Sequence, residues 1–301
     1  MTTNEKKISI IVNCYNGSKY LKDCLDSIKN QSYRNYELIF WDNQSQDSSK
    51  DIFFEYINDE RFKYFLSDKH TPLYEARNLA IEKSSGDFIS FLDTDDWWMK
   101  DYLLNRVVLF DKNKDYLFSF SNCFHYFQKK KSKKIFTKIK MPSGNVFDFL
   151  SKNYLVKISC LMVKKKVFLK EEKFNKNFNI IGDFEFVMRI ASKYKGFSVN
   201  QPQGFIRFHS QNFLSKNRSM FYNEYRLWYE SIKNLDPYKS YKSYYKNYLL
   251  YLKIIKNILE NNNKDIFSDI INYPFSLNKF KLLLLFLLPK KIISYLNEKY
   301  Y

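Results

Sequence analysis

The stretch ISFLDTDDWW, residues 89–98, decides how the fold of this chain is interpreted. An apolar run typical of a buried strand ends in Asp93, Asp95 and Asp96, and two tryptophans follow at once. Closely spaced carboxylates repel each other, and a carboxylate at the end of a buried strand is costly to desolvate. A divalent cation would offset that cost, because Mg²⁺ and Mn²⁺ bind through one or two carboxylates together with substrate phosphates. The alternative is an acidic cap on the helix that follows.

The segments before this stretch alternate between strand-like and helix-like patterns, which predicts a mostly parallel sheet. The predicted strands are 8–12, 37–42, 62–66 and 87–93. One predicted helix starts near Ser18, and two more cover 50–57 and 73–86. Two of these strands end in carboxylates, Asp42 and Asp93. The carboxyl ends of strands are the edge at which open α/β sheets bind ligands, so a ligand site is predicted there.

Beyond residue 98 the pattern is mixed. The predicted elements are a helix over 102–110, one strand over 116–127, a hairpin tip or loop at 129–134, a strand running into a helix over 159–168, a helix over 183–194 and a strand over 204–209. From about residue 216 the chain is helical in pattern and rich in Tyr and Lys. We therefore predict one α/β domain over 1–215, with halves 1–98 and 99–215, and a C-terminal helical extension over 216–301.

The chain has 301 residues and a net charge of +18, which suits nucleic acid, an anionic membrane surface or phosphorylated substrates. It lacks zinc-finger spacing and an aromatic RNA-binding signature, so no nucleic-acid partner is expected. The apolar, Lys-flanked tail over 278–301 lies in a membrane interface or packs on the catalytic domain, and both alternatives stay open. The first ten residues lack a signal-peptide pattern and the run 282–288 is too short to span a bilayer, so a cytoplasmic location is expected.

Three segments, in this order, resemble family 2 glycosyltransferases of the GT-A fold, bacterial enzymes that assemble surface polysaccharides. They are ISIIVNCYNGSKYLKDCLDSIKNQSYRNYELIFWDNQSQDSS (8–49), ARNLAI (76–81) and GDFISFLDTDDWW (86–98). The similarity covers about residues 6–210, and the ordered set is far more specific than any one segment. The resemblance implies a Rossmann-like, mixed and mostly parallel sheet flanked by helices.

The resemblance also implies a nucleotide-binding role for five residues. It puts Tyr15 and Asn16 beside the nucleotide, Asp42 on the base, Arg77 near the base and phosphates, and Asp93 near the ribose. A carboxylate that only accepts hydrogen bonds is suited to read a uracil N–H. Without the family context, Asp42 reads as a cap of the turn after its strand.

For the metal, the resemblance implies Asp95 as the main ligand, Asp96 as its neighbour and His209 near the metal or diphosphate. The implied cofactor is Mn²⁺ or Mg²⁺, and a neutral imidazole suits Mn²⁺ better. A single histidine after an apolar strand is often structural, so that alternative for His209 stays open.

On the acceptor side, the segment IIGDFEFVMRI (180–190) resembles the family's Glu-Asp-x-Asp motif and puts the catalytic base at Asp183. An inverting transfer needs one carboxylate to take the proton from the attacking hydroxyl. Glu185, Trp97 and Trp98 are the expected contacts with the sugar acceptor. Asp183 also fits a simple helix N-cap, and an exchange of the base role between Asp183 and Glu185 remains open.

Three positions depart from the family pattern. Asn13 stands where the family usually has Pro, Asn43 where a second Asp is common, and Gly182 where the acidic motif begins. The first two departures affect which nucleotide base the donor carries, and the third affects the binding of the acceptor.

The resemblance thus implies a metal-dependent, inverting glycosyltransferase that moves a sugar from a UDP-sugar or similar donor to a hydroxyl of a glycan or lipid-linked acceptor, in capsule, lipopolysaccharide or other glycan biosynthesis. One alternative is a nucleotidyltransferase, although NCYNGSKY (13–20) offers no Gly-rich, basic phosphate loop. The other is a non-catalytic glycan- or membrane-binding protein with a degenerate site, against which the retained acids argue.

Overall fold

The computed structural model describes residues 6–209, 217–260 and 265–289. The chain divides into two compact units. The first comprises the chain up to Tyr126 together with Lys131–Arg207, and the second comprises Phe127–Lys130 and the chain from Phe208 onward. The predicted domain boundary at residue 215 lies outside the described residues.

Eleven strands are found in the described residues. In chain order they are β1 Ile8–Cys14, β2 Tyr36–Asp42, β3 Phe62–Leu66, β4 Phe88–Phe91, β5 Trp97–Trp98, β6 Phe118–Ser121, β7 Phe124–Phe127, β8 Ser132–Ile135, β9 Leu161–Lys164, β10 Gly196–Val199 and β11 Gly204–Phe208. Seven of them form the central sheet in the order β10-β6-β9-β4-β1-β2-β3. Every neighbouring pair in that sheet is parallel except the two pairs that β9 makes. The predicted mixed and mostly parallel sheet is therefore confirmed.

The described residues of the first unit contain seven α-helices. They are α1 Ser18–Lys29, α2 Ser49–Phe54, α3 Leu73–Glu82, α4 Tyr102–Lys112, α5 Phe147–Lys152, α6 Lys165–Lys170 and α7 Gly182–Ala191. Helix α1 illustrates the sequence pattern that specifies these helices. Its buried side chains are spaced three or four residues apart and so share one face: Leu21, Cys24, Leu25 and Ile28. They pack with β1, whose β-branched run is buried along its length.

The predicted single strand over 116–127 is wrong, because the chain breaks at Asn122. β6 lies in the central sheet, whereas β7 joins a second, four-stranded sheet of order β5-β11-β7-β8. The buried Asn122 side chain holds the break: Oδ1 accepts from the amides of Cys123 and Thr137, and Nδ2 donates to the carbonyls of Thr137 and Asn200. The predicted hairpin tip or loop at 129–134 joins the neighbouring strands β7 and β8, as a hairpin tip does, and β8 already begins at Ser132.

The second unit is helical in its described part. Its helices are α8 Arg218–Ile232, α9 Lys242–Leu259, α10 Ile266–Asn272 and α11 Leu277–Leu287. The last three share an apolar cluster formed by Ile254, Ile258, Ile266, Ile270, Tyr273 and Leu282. In the described residues no helix is both long enough and apolar enough to cross a membrane.

Candidate active site

The loops after β1 and β2 form one side of the site, because these two strands are parallel neighbours. Asn16 adopts a left-handed backbone conformation with φ of 53°. Its amide donates to Ser45 Oγ at 3.0 Å, and its Oδ1 accepts from the Gln46 amide at 2.8 Å. Tyr15 beside it is 52% exposed, with its ring centre 4.2 Å from that of His70. The structure therefore places an exposed aromatic ring on the edge where a nucleotide was predicted.

Asp42 ends β2 at the same edge but is only 1% exposed. Its Oδ1 accepts from the Ser45 amide at 2.7 Å, and its Oδ2 accepts from the Tyr64 hydroxyl at 2.6 Å. Oδ1 thus caps the turn after the strand, as one of the two interpretations of this residue requires, and Oδ2 binds a side chain of β3. The contact between Asp42 and a base stays a prediction.

Arg77 and Asp93 form an ion pair at the carboxyl end of β4. Arg77 is buried on α3, and its Nη2 donates to Asp93 Oδ1 at 2.6 Å. Burial alone lowers the pKa of the Arg77 guanidinium, but Asp93, together with Tyr74 and Asp183, raises it above its usual value. Partial burial raises the pKa of the Asp93 carboxyl; Arg77 opposes this effect, and Asp95 adds to it. The predicted nucleotide and catalytic residues therefore act on one another electrostatically.

The two metal-binding candidates after β4 have different surroundings. Asp95 is half-buried, whereas Asp96 is buried. Asp96 Oδ2 accepts from Ser159 Oγ at 2.6 Å and Oδ1 accepts from the Arg207 amide at 2.9 Å. Burial, with Asp95 next to it, holds the pKa of Asp96 well above its usual value. The contacts of Asp96 are those of a turn anchor, so the fit to a metal ligand is better at Asp95.

The carboxylates of the turn after β4 fit a metal ion only together with a bound nucleotide. Within the described residues, no group of three or more His, Cys, Asp or Glu side chains could hold a metal by itself. Mg²⁺ and Mn²⁺ bound beside a nucleotide need only one or two carboxylates, because substrate phosphates and water complete the shell. Asp95, with Asp93 two residues earlier on the turn, fits that requirement.

Asp183 lies in the first turn of α7 and is half-buried. Its Oδ1 accepts from the Phe184 amide and lies 2.9 Å from the Tyr74 hydroxyl. Glu185 is engaged differently: its oxygens accept from Arg189 Nε at 2.7 Å and Nη2 at 3.1 Å. Because this forked ion pair occupies both oxygens of Glu185, Asp183 is the better placed of the two for the role of base.

The two tryptophans of β5 differ as well. Trp98 is buried, stacks on Tyr102 with ring centres 4.1 Å apart, and donates from Nε1 to the Ser159 carbonyl at 2.6 Å. Its ring is therefore committed to packing. Trp97 is half-buried, stacks on Phe205, and with Trp98, Tyr126 and residues of α1 lines an open cleft of about 760 Å³. Contact of Trp97 with a sugar acceptor stays a prediction.

His209 follows β11 and belongs to the second unit. The described contacts do not test whether it binds a metal, and that role stays a prediction.

Three residues that the sequence did not single out support the predicted ones. Ser159 and Arg207 hold Asp96, and Tyr74 reaches Asp183. Arg207 also donates from Nε to the Asp95 carbonyl at 2.8 Å. The sequence does contain a signal for Tyr74: it lies three residues before Arg77 and therefore on the same face of α3. Ser159 and Arg207 had none, because their contacts span more than 60 residues of sequence.

The central sheet, the exposed aromatic at its ligand edge, the Arg77–Asp93 pair and the carboxylate at the start of α7 define the GT-A class of glycosyltransferase fold. A profile of "Glycosyl transferase family 2" matches residues 9–179, more than half of the chain. The chain therefore belongs to glycosyl transferase family 2, and the resemblance found in the sequence is confirmed.

Individual glycosyltransferases also match this chain, over a smaller share of its length. The putative teichuronic acid biosynthesis glycosyltransferase TuaG of Bacillus subtilis is 34% identical over 122 residues, which is 40% of this chain and 48% of the relative. The chain spans at most about half the length of the first curated relatives it matches, and as little as 14% for one of them.

Solved structures match almost the whole chain. S. aureus TarS 1-349 in complex with UDP-GlcNAc has a TM-score of 0.69 at 17% identity, covering 96% of this chain and 83% of the other. Mannosyltransferase PcManGT from Pyrobaculum calidifontis, in complex with GDP-Man and Mn²⁺, has a TM-score of 0.63 at 14% identity, covering 98% and 85%. At these identities the likeness shows the fold alone, and it confirms the GT-A fold.

Proposed function

We propose that this chain transfers a sugar, with inversion, from a UDP-sugar to a hydroxyl of a glycan or lipid-linked acceptor in the biosynthesis of a surface polysaccharide. The observation that carries the proposal is the arrangement at the ligand edge. A buried arginine pairs with Asp93, and Asp183 lies within electrostatic range of that pair. One region thus provides a cation for phosphates and a carboxylate for proton transfer.

On the donor side, the exposed Tyr15 ring stacks against the base, and the loop that Asn16 fixes shapes the pocket around it. Asp42 stabilises the next loop and accepts from the base. Asp93 accepts from a ribose hydroxyl, and Arg77 directs it while contributing positive charge near the phosphates.

Asp95, with Asp93, would hold a Mn²⁺ or Mg²⁺ ion, which supplies charge stabilisation to the leaving diphosphate. Support for a metal comes from a fold neighbour, PcManGT, whose structure contains GDP-Man and Mn²⁺.

In the transfer step, the acceptor oxygen bonds to the anomeric carbon while the bond from that carbon to the diphosphate oxygen breaks. Asp183 takes the proton of the attacking hydroxyl as general base. The direct displacement inverts the anomeric centre. Trp97 lines an open cleft together with Tyr126 and is an aromatic side chain that would contact a sugar acceptor.

Two similar proteins support the proposed acceptor and donor classes. TuaG is named for teichuronic acid biosynthesis, and TarS binds UDP-GlcNAc in its solved structure. A surface polysaccharide and a UDP-linked donor follow by analogy for this chain, at the cytoplasmic side where nucleotide sugars are made.

The test is a screen of nucleotide sugars with Mn²⁺ in which released nucleoside diphosphate is measured. We expect metal-dependent release from one donor, and a loss of about 100-fold or more in Asp183→Asn, the range of general-base catalysis. Asp236→Asn is the matched control, because that carboxylate is exposed and pairs only with nearby Lys239 among described residues. A nucleotidyltransferase would instead release pyrophosphate from a nucleoside triphosphate and a sugar 1-phosphate, which are assayed as a separate pair, and binding of a nucleotide sugar without turnover would indicate a degenerate site.

We also propose peripheral contact with an anionic membrane, through the "apolar face", defined as the exposed side chains of Phe275, Leu277, Phe280, Leu284 and Leu287. Exposed apolar residues this closely spaced are typical of interaction sites. Lys281 is exposed within the same helix, α11, and the sequence continues with two further lysines after Pro289. Apolar side chains flanked by basic ones suit a lipid interface.

A further inference from the structure

We propose that Tyr74 is a positioning residue that orients the Asp183 carboxylate for proton transfer and occupies the space left by the acid missing at Gly182. The inference rests on the proposed function and deepens it at the acceptor side.

The ring of Tyr74 lies directly against Gly182. A Cβ atom at position 182 would come within 2.5, 2.6 and 2.7 Å of three Tyr74 ring atoms, far inside van der Waals contact. A side chain at position 182 and the present Tyr74 ring therefore exclude each other. The glycine at the start of α7 is explained by this close approach.

The hydroxyl of Tyr74 then reaches the carboxylate of the next residue. It lies 2.9 Å from Asp183 Oδ1 and 2.9 Å from the Ile180 carbonyl oxygen, so its one proton is shared between two hydrogen-bond acceptors. The Phe184 amide donates to the same Oδ1. Both contacts hold Oδ1, which directs Oδ2 of Asp183 to serve as the atom that takes a proton.

The Tyr74 side chain is itself rigidly held. It is 2% exposed, and the Arg77 guanidinium carbon lies 5.2 Å from its ring centre. Asn78 on the same helix exchanges two hydrogen bonds with the Phe174 backbone, which fixes the segment leading to α7. Burial and nearby Asp183 hold the pKa of Tyr74 well above its usual value, so the phenol remains a donor at neutral pH. Helix α3 thus carries Arg77, which is proposed to lie near the phosphates, and also Tyr74, which holds the proposed catalytic base Asp183.

The first test is Tyr74→Phe, which removes only the hydroxyl. We expect kcat to fall about 10-fold with the KM for the nucleotide sugar changed by less than about twofold, because general-base geometry is lost while donor contacts remain. A merely structural role would lower stability without this split between kcat and KM.

Tyr36→Phe is the matched control. Tyr36 is also 2% exposed, and its hydroxyl donates to the Ile28 carbonyl at 2.9 Å in another part of the unit. A similar loss of thermal stability in both variants, with kcat reduced only in Tyr74→Phe, supports the proposal. Equal kcat values in the two variants overturn it.

A second variant, Gly182→Ala, pushes the Tyr74 ring away from its place. We expect a fall in kcat similar to that of Tyr74→Phe, and little additional loss when the two changes are combined, because both remove the same hydrogen bond. Multiplied losses in the double variant contradict a shared role, provided that its melting temperature shows a folded protein.

Failure of the inference and failure of the proposed function give different results. An active wild type, an inactive Asp183→Asn and a fully active Tyr74→Phe reject only the role of Tyr74. A folded wild type that binds UDP but transfers and hydrolyses no nucleotide sugar rejects the proposed function and this inference with it.

Discussion

At the residue scale, Asp95 and Asp96 are adjacent carboxylates with different duties. Asp96 is buried and accepts from Ser159 Oγ and the Arg207 amide, whereas Asp95 is half-buried beside the ligand edge. The two adjacent carboxylates thus have different surroundings: that of Asp96 is hydrogen-bonded inside the protein, and that of Asp95 is partly open to solvent.

Asp96→Ala should destabilise the protein far more than Asp95→Asn. Removing Asp96 leaves two buried donors unpaired, which costs about 2–4 kcal/mol. Asp95→Asn should lower metal-dependent turnover by about 100-fold or more with little change in the unfolding midpoint. Urea unfolding and turnover with Mn²⁺ check both statements, and equal destabilisation by the two changes would contradict the division of roles.

Glu37 is a residue whose contribution depends on pH. Burial raises the pKa of its carboxyl, but hydrogen bonds from Lys63, Ser9, Ser85 and Lys7 outweigh burial and hold the pKa well below its usual value. Because the pKa of Glu37 is lower in the folded than in the unfolded protein, its ionised carboxylate stabilises the fold at pH values above the unfolded-state pKa, near 4.3. This stabilisation is lost as the pH falls below that pKa toward the folded-state pKa.

Glu37→Gln should therefore lower the free energy of unfolding by about 2 kcal/mol at pH 7. The difference from wild type should shrink as the pH falls from about 4.5 toward 2. Denaturant unfolding at a series of pH values measures it. A difference that does not depend on pH would mean that the charge of Glu37 plays no part.

At the element scale, Arg207 in β11 joins the second sheet to the carboxylate turn. It pairs with Asp23 of α1, donates to the Asp95 carbonyl, and lies against the rings of Tyr20 and Trp97 at 4.3 and 4.5 Å from their centres. One side chain thus fixes the turn that carries the predicted metal ligand.

Arg207→Lys keeps the charge but loses the planar fork and the stacking. We expect a loss of about 1–3 kcal/mol in stability and a raised KM for the metal ion and donor, because the turn becomes less well fixed. Lys133→Arg on β8, whose ammonium lies over Phe124, is a control for a basic change in the same sheet. An unchanged KM would show that the turn holds its shape without Arg207.

The extent to which the sequence predicts these elements follows from the range of their contacts. β1, β2 and β4 are mainly apolar runs with clear ends, and the sequence predicts them and the order of α1 and α3 between them. The break at Asn122 depends on Thr137 and Asn200, which lie 15 and 78 residues away. β5 has only two residues and exists because β11 pairs with it. No local pattern contains that information.

The site follows the same logic. Strand ends predict which acids meet at the ligand edge, and Arg77 and Asp93 do meet there. Local pattern could not show that Asp42 and Asp96 are buried with both oxygens engaged, because Tyr64, Ser159 and Arg207 come from other elements. The pair of Glu185 with Arg189 has i,i+4 spacing within the predicted helix over 183–194, so the local sequence does contain its signal.

At the scale of the whole molecule, the two units carry their surface features separately. The first holds the ligand edge and its acids, and the second, as far as the structure describes it, is helical, with an apolar cluster behind an exposed apolar face. A net charge of +18 favours both anionic donors and anionic surfaces. A catalytic unit and a lipid-contacting unit in one chain would bring a transferase to a lipid-linked acceptor.

Changing the apolar face should separate these two tasks. Replacing Phe275, Phe280 and Leu284 by Ser should reduce binding to anionic phospholipid vesicles by about 10-fold or more, because burial of each large apolar side chain is worth about 1.5–3 kcal/mol. Turnover with a water-soluble acceptor should stay unchanged. Leu169→Ser is the matched control, since Leu169 is 76% exposed on the first unit. Co-sedimentation with vesicles measures the effect, and high salt should weaken binding through its lysine component. Equal sedimentation of the triple variant and the wild type would remove the membrane from the proposed function while leaving the transferase chemistry untouched.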